Sequence, residues 1–245
     1  MPGADHDDIV RSYYRVRQTL GFLGLILPFL LVGGGMLSLG DVEPSISDYY
    51  HTILRDFLVG VITAIGIFLI AYPGHHRKSG EVFSDDRITT CAGIAALGVA
   101  FFPNEDRLKT LALETPTQLL LGHQWAAVAH YGSAIVFLFL LGMICLKKFS
   151  RTANTSRRLV YKWCGWTVLI MTAFVIIASW FKIRGPAVPQ AFVNDWRLVL
   201  WFEALAIWAF AVAWLTKGRA DHALTRLFGQ AAPRKNGEED KTPKG

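Results

Sequence analysis

Six long apolar blocks with neither Lys nor Arg inside them decide what this chain can fold into. They cover residues 19–39, 57–74, 88–103, 126–146, 163–181 and 198–215, and nearly all of the charge lies between them. A helix needs about 20 predominantly apolar residues to cross a hydrocarbon layer of about 30 Å. The helices of a soluble bundle carry a polar stripe, whereas these blocks are apolar all round. The sequence therefore predicts an all-α fold, a polytopic membrane protein whose six transmembrane helices form one membrane domain over residues 1–218. The block at 88–103 is short for a span. It carries Ala92, Ala96 and Ala100 at four-residue intervals, with Gly93 and Gly98 beside them. Small residues let membrane helices approach closely, so this helix is expected inside the bundle. Gly33, Gly34 and Gly35 are expected to soften or kink the first helix.

The basic residues set an orientation. Nineteen of the 25 Lys and Arg fall in the N-terminal segment, the loops after the second and fourth blocks, and the C-terminal tail; the other three loops share six. Cytoplasmic loops carry the Lys/Arg excess, which places both termini in the cytoplasm and the chain in the inner (cytoplasmic) membrane of a bacterium. The formal net charge of +6 does not imply nucleic acid as a partner, because the basic residues form no single stripe. Residues 1–18 are polar and the first block is too long for a signal-peptide core, so it is expected to remain as an anchor. The tail at 219–245 is expected to be largely disordered, with a short interfacial helix through Ala223, Leu224, Leu227 and Phe228. Cys91, Cys145 and Cys164 lie within predicted spans and read as small buried hydrophobes.

Topology then locates the unusual polar groups. The second, fourth and sixth helices all begin at the outer face. Pro44, Ser45 and Asp48 form a capping-box-like start, so the second helix is expected to begin there, two turns before the membrane. Ser47, His51 and Arg55 would then share one face, and Tyr49, Thr52 and Asp56 another. The fourth span opens with His123 and His130, about 10 Å apart along a helix axis. The sixth carries Glu203 at a depth similar to that of His130, and a carboxyl there normally faces the bundle interior with a partner. The ligand-pocket candidates are therefore Ser47, His51, Arg55, Asp56, His130 and Glu203, with a His130–Glu203 pair or a shared cavity as the expectation. Phosphate-binding glycine loops, H-E-x-x-H and G-x-S-x-G are absent, and no cofactor is expected. If a metal were held, His51, His130 and Glu203 would be its ligands.

Three stretches carry a resemblance. The run S-I-S-D-Y-Y-H-T…R-D-F-L-V-G at 45–60, A-A-L-G-V-A-F-F-P at 95–103, and 201–218 closing in W-L-T-K-G resemble an uncharacterised family of bacterial multi-pass proteins. That resemblance implies a six-helix membrane protein and no established activity. The chain is more distantly similar to the alkaline ceramidase-like (CREST) membrane hydrolases, which gather a Ser, three His and an Asp around zinc. Ser47-x-x-x-His51 matches their early Ser-x-x-x-His. The position of their Asp is Ile62 here, and the sixth span lacks their His-x-x-x-His.

Three readings follow. The first is a protein with an outward-facing polar pocket for a lipid or small ligand, without catalysis. The second is a metal-dependent hydrolase of lipid amide or ester bonds, with Glu203 or Asp56 as base. The third is a small transporter using His130 and Glu203, for which broken helices or inverted repeats would be the mark. The first demands least of these residues.

Overall fold

The computed structural model describes residues 2–72, 85–105 and 114–218, and among them every regular element is helical. Eight α-helices follow one another: α1 (Pro2–Ser38), α2 (Arg55–Ile70), α3 (Asp85–Phe101), α4 (Pro116–Leu121), α5 (His123–Met143), α6 (Thr155–Arg184), α7 (Ala187–Asp195) and α8 (Leu198–Lys217). Four stretches are long and apolar enough to cross a membrane: Tyr14–Ser38 of α1, His123–Phe149 (α5 with its π-helical extension), α6 and α8. This is the make-up of a multi-pass membrane protein. Helices α2 and α3, at 16 and 17 residues, are shorter than a full span. The short α4 and α7 had no signal in the apolar pattern. The predicted tail helix at 223–228 lies outside the described residues.

The six longer helices pack in chain order as a closed ring, α1 on α2, α2 on α3, α3 on α5, α5 on α6, α6 on α8, and α8 back on α1. Small residues set the spacing. Ala92, Ala96 and Ala100 on α3 are almost wholly buried. A Cβ built on Gly93 would stand 2.5 Å from the Gly66 carbonyl oxygen of α2, and one on Gly98 would collide with the Ser133 hydroxyl of α5. Gly142 on α5 and Gly165 on α6 play the same part further round the ring, against Leu169 and Leu146. Backbone approach of this kind is what small residues provide in bundles whose surroundings are as apolar as their core. The outward faces remain apolar: Phe22, Ile26 and Phe29 on α1 and Trp163, Trp166 and Ile177 on α6 are all exposed.

One expectation about the polypeptide between α1 and α2 needs correction. The second helix does not start at Ser45. Residues Ser47–His51 form a single 3-10 turn, and α2 begins only at Arg55. Ser45 caps nothing in the expected way; its hydroxyl accepts the N–H of Ser47 at 3.1 Å, while the Asp48 N–H bonds the Ser45 carbonyl at 3.2 Å. A hydroxyl that bonds its own backbone two residues on offers an alternative to helix, and Thr52 repeats the device by accepting Leu54 N–H. The glycines near the end of α1 make room for the same segment. Helix α1 continues through Gly33, Gly34 and Gly35 to Ser38. Gly34 and Gly35 admit the segment that follows: a Cβ on Gly35 would meet the Tyr49 hydroxyl at 2.7 Å and the Asp41 carbonyl at 2.8 Å, and one on Gly34 would meet Leu54 at 3.0 Å.

Candidate functional site

The segment 41–54 is seated against one end of the ring, where α1, α3 and α6 finish and α2, α5 and α8 begin. Its polar groups are met from four sides. From α8, one oxygen of Glu203 accepts the Ile46 N–H at 2.7 Å and the Ser45 hydroxyl at 3.1 Å. The Leu200 N–H, in the first turn of α8, donates to the Pro44 carbonyl at 3.1 Å. From α5, His130 Nε2 lies 2.8 Å from the Ser47 hydroxyl, and its Nδ1 lies 2.7 Å from the Phe102 carbonyl at the end of α3. From α6, the Lys182 ammonium pairs with Asp48. Beyond α3, Asn104 donates its amide to the other Asp48 oxygen at 2.7 Å, and its carbonyl oxygens receive His51 Nε2 at 3.0 and 3.1 Å.

These distances fix proton positions. A carbonyl oxygen can only accept, so the neutral imidazole of His130 carries its hydrogen on Nδ1 and leaves Nε2 as the acceptor. The Ser47 hydroxyl must then donate to Nε2. His51, facing two carbonyl oxygens through Nε2, carries its hydrogen there. Ser45, Ser47, His130 and Asn104 are all buried, so their hydrogen bonds stand largely in place of water.

Arg197 holds the start of the segment. It is the one non-glycine among the described residues with a left-handed backbone (φ 49°). In that conformation its guanidinium reaches back to donate to the Val42 carbonyl at 2.6 Å and to pair with Asp41. The Val42 N–H, first, and then Arg197 hold the Asp41 carboxyl below its ordinary pKa. Burial, and after it the nearby Asp48 charge, push Glu43 above the usual carboxylate value. Burial likewise raises the Tyr49 phenol, whose oxygen receives the Glu43 N–H at 3.4 Å.

Of the sequence candidates, Ser47, His51, His130 and Glu203 all take part in binding this one segment. His130 and Glu203 do not pair with each other. Each holds a different part of the seated segment: His130 bonds Ser47, and Glu203 bonds Ser45 and Ile46. Arg55 turns away to stack on Tyr50, its guanidinium carbon 4.6 Å from the ring centre. Asp56, in the first turn of α2, is exposed. His123 forms an exposed pair with Glu114, 3.0 Å away, outside this cluster. Among the described residues no three His, Cys, Asp or Glu side chains gather closely enough to hold a metal ion, so His51, His130 and Glu203 do not form the ligand set that their types suggested.

Asn104, Lys182 and Arg197 were absent from the sequence candidates. Lys182 and Arg197 had counted only as loop charges. Asn104 directly follows the F-F-P that ends the third block, and a lone amide has no periodicity to reveal it.

The Glu203 contacts give a direct test. Replacing Glu203 with Ala strands the buried Ile46 N–H and Ser45 hydroxyl and is expected to destabilise the protein by about 1–3 kcal/mol. Gln keeps one carbonyl acceptor and is expected to lose less. Unfolding in mixed micelles measures both, and equal tolerance of Ala and Gln would contradict the assigned bonds.

No family model, curated protein or solved structure matches this chain.

Proposed function

We propose that the chain is a six-span protein of a bacterial cytoplasmic membrane, with both termini cytoplasmic, whose outer end binds a lipid headgroup or a small polar ligand at the seated segment 41–54. The topology rests on alternation and charge. All six ring helices have one end at the seated segment. The opposite end gathers Arg17 on Tyr72 at 2.6 Å and the ring contacts of Phe149 with Tyr161 and Trp214. The basic residues Lys147, Lys148, Arg157 and Arg158 lie towards that opposite end, as the cytoplasmic excess of Lys and Arg requires. Exposed Trp163 and Trp180 on α6 are 17 residues apart, about 25 Å along the axis, a spacing suited to two interfacial aromatic belts.

A topology reporter active only in the cytoplasm is expected to work when fused after Gly218 or within 148–158, and to fail within 105–116. Activity at 105–116 would overturn the orientation.

The observation that carries the binding reading is the Asp48–Lys182 pair, with side chains only 15% and 12% exposed, at the end of an otherwise apolar bundle. Ionisable groups at such places are uncommon and mark ligand or ion sites. Both signs of charge, with the amide of Asn104 between Asp48 and His51, suit a zwitterionic or anionic headgroup. Native mass spectrometry of protein loaded with phosphatidylethanolamine or phosphatidylglycerol tests this. Wild type is expected to retain one such lipid more tightly than the neutral double variant Asp48→Asn with Lys182→Gln. Equal retention would defeat the reading.

A further inference from the structure

We propose that Ser47 is a nucleophile, activated by His130, that attacks the carboxylic ester of an amphiphile lying at the outer membrane surface. The inference rests on the headgroup reading above, since that site would present the ester. It goes beyond it by assigning a reaction.

The geometry has three parts. The Phe102 carbonyl, 2.7 Å from Nδ1, holds the imidazole in one tautomer, as an orienting acceptor does in nucleophile–base pairs generally. Nε2 therefore presents a lone pair, and the Ser47 hydroxyl, 2.8 Å away, points its proton at it. The exposures also differ. Both are buried, His130 at 1% exposed and Ser47 at 9%, so the serine is the less enclosed of the pair. Finally, Ser47 stands at the start of a 3-10 turn and not within a regular α-helix.

The step balances without a metal or redox partner. Ser47 Oγ forms a bond to the ester carbonyl carbon while its proton passes to His130 Nε2. The tetrahedral adduct collapses, the ester C–O bond breaks, and the imidazolium returns the proton to the departing alkoxide. Water then repeats the sequence on the acyl-serine: its proton goes to Nε2, its oxygen to the acyl carbon, and the proton returns to Ser47 as the Oγ–C bond breaks. The net change is ester plus water to acid plus alcohol.

The test uses the full chain in nanodiscs, a long-chain alkyl fluorophosphonate probe and peptide mapping. In the wild type the adduct is expected on Ser47. Labelling is expected to vanish in Ser47→Ala and to fall about a hundredfold or more in His130→Gln, the range that a positioned base contributes. Ser38→Ala, at the exposed end of α1, is expected to label as wild type. An unmodified Ser47 in folded wild-type protein overturns the proposal without needing any variant. So does undiminished labelling in His130→Gln. Lipid retention is scored separately by native mass spectrometry. Retained lipid with unlabelled Ser47 overturns the nucleophile and leaves the headgroup reading standing. Labelled Ser47 with no retained lipid supports the nucleophile and overturns the headgroup reading.

Discussion

Asp48→Ala is expected to destabilise the protein by about 3–5 kcal/mol, because it leaves the Lys182 ammonium in place without its counter-charge. Breaking one partner of a buried ion pair has this consequence, since the remaining charge has been taken out of water and nothing offsets the loss. The Asn104 amide loses its acceptor in the same substitution. The double variant Asp48→Asn with Lys182→Gln removes both charges and keeps hydrogen-bonding groups, so it is expected to recover most of the loss. A double-mutant cycle read by unfolding in mixed micelles measures the coupling. If the double variant is as unstable as Asp48→Ala alone, the pair is not what holds α6 to the seated segment.

The next largest effect is expected at the α2–α3 seam. Gly93→Leu places a branched side chain where even a Cβ would stand 2.5 Å from the Gly66 carbonyl and 3.0 Å from the Ile70 backbone nitrogen. Flexible side chains can swing aside from such a contact; backbone cannot. The two helices must separate, and overpacking of this sort commonly destabilises by about 1–3 kcal/mol and sometimes more. Gly33→Leu provides the control, since a Cβ at Gly33 meets nothing within 4 Å. Melting temperatures in detergent should fall sharply for Gly93→Leu and hardly at all for Gly33→Leu. Similar behaviour of the two variants would contradict the seam.

The helices were legible because apolar blocks free of Lys and Arg have few structural meanings, and the Ala92–Ala96–Ala100 interval identified a buried face. The segment between α1 and α2 was only half legible. Its composition marked it, and Ser47, His51, His130 and Glu203 were named from depth and residue type alone. Its conformation was misread because Ser45 and Thr52 are as compatible with local side-chain turns as with a helix cap, and what decides between them is Glu203, more than 150 residues away. The partners Asn104 and Lys182 were invisible for a related reason. Each is a single polar residue at the end of a helix, where sequence offers many polar residues and only the packing of the ring says which of them turn inward.

Closure of the ring has a consequence for the order of synthesis. Helix α1 is held between α2 and α8, its neighbours at opposite ends of the chain order. The seated segment emerges soon after α1, yet Lys182 and Glu203, which it needs, are made among the last parts of the membrane domain. The Asp48 carboxylate waits for Lys182 of α6, and the Ile46 N–H and the Ser45 hydroxyl wait for Glu203 of α8; until α8 arrives, the flank of α1 that it will cover stays open. A nascent chain stopped between α6 and α8 is thus an open arc whose plug is only partly seated, and α8 acts as the keystone that closes it.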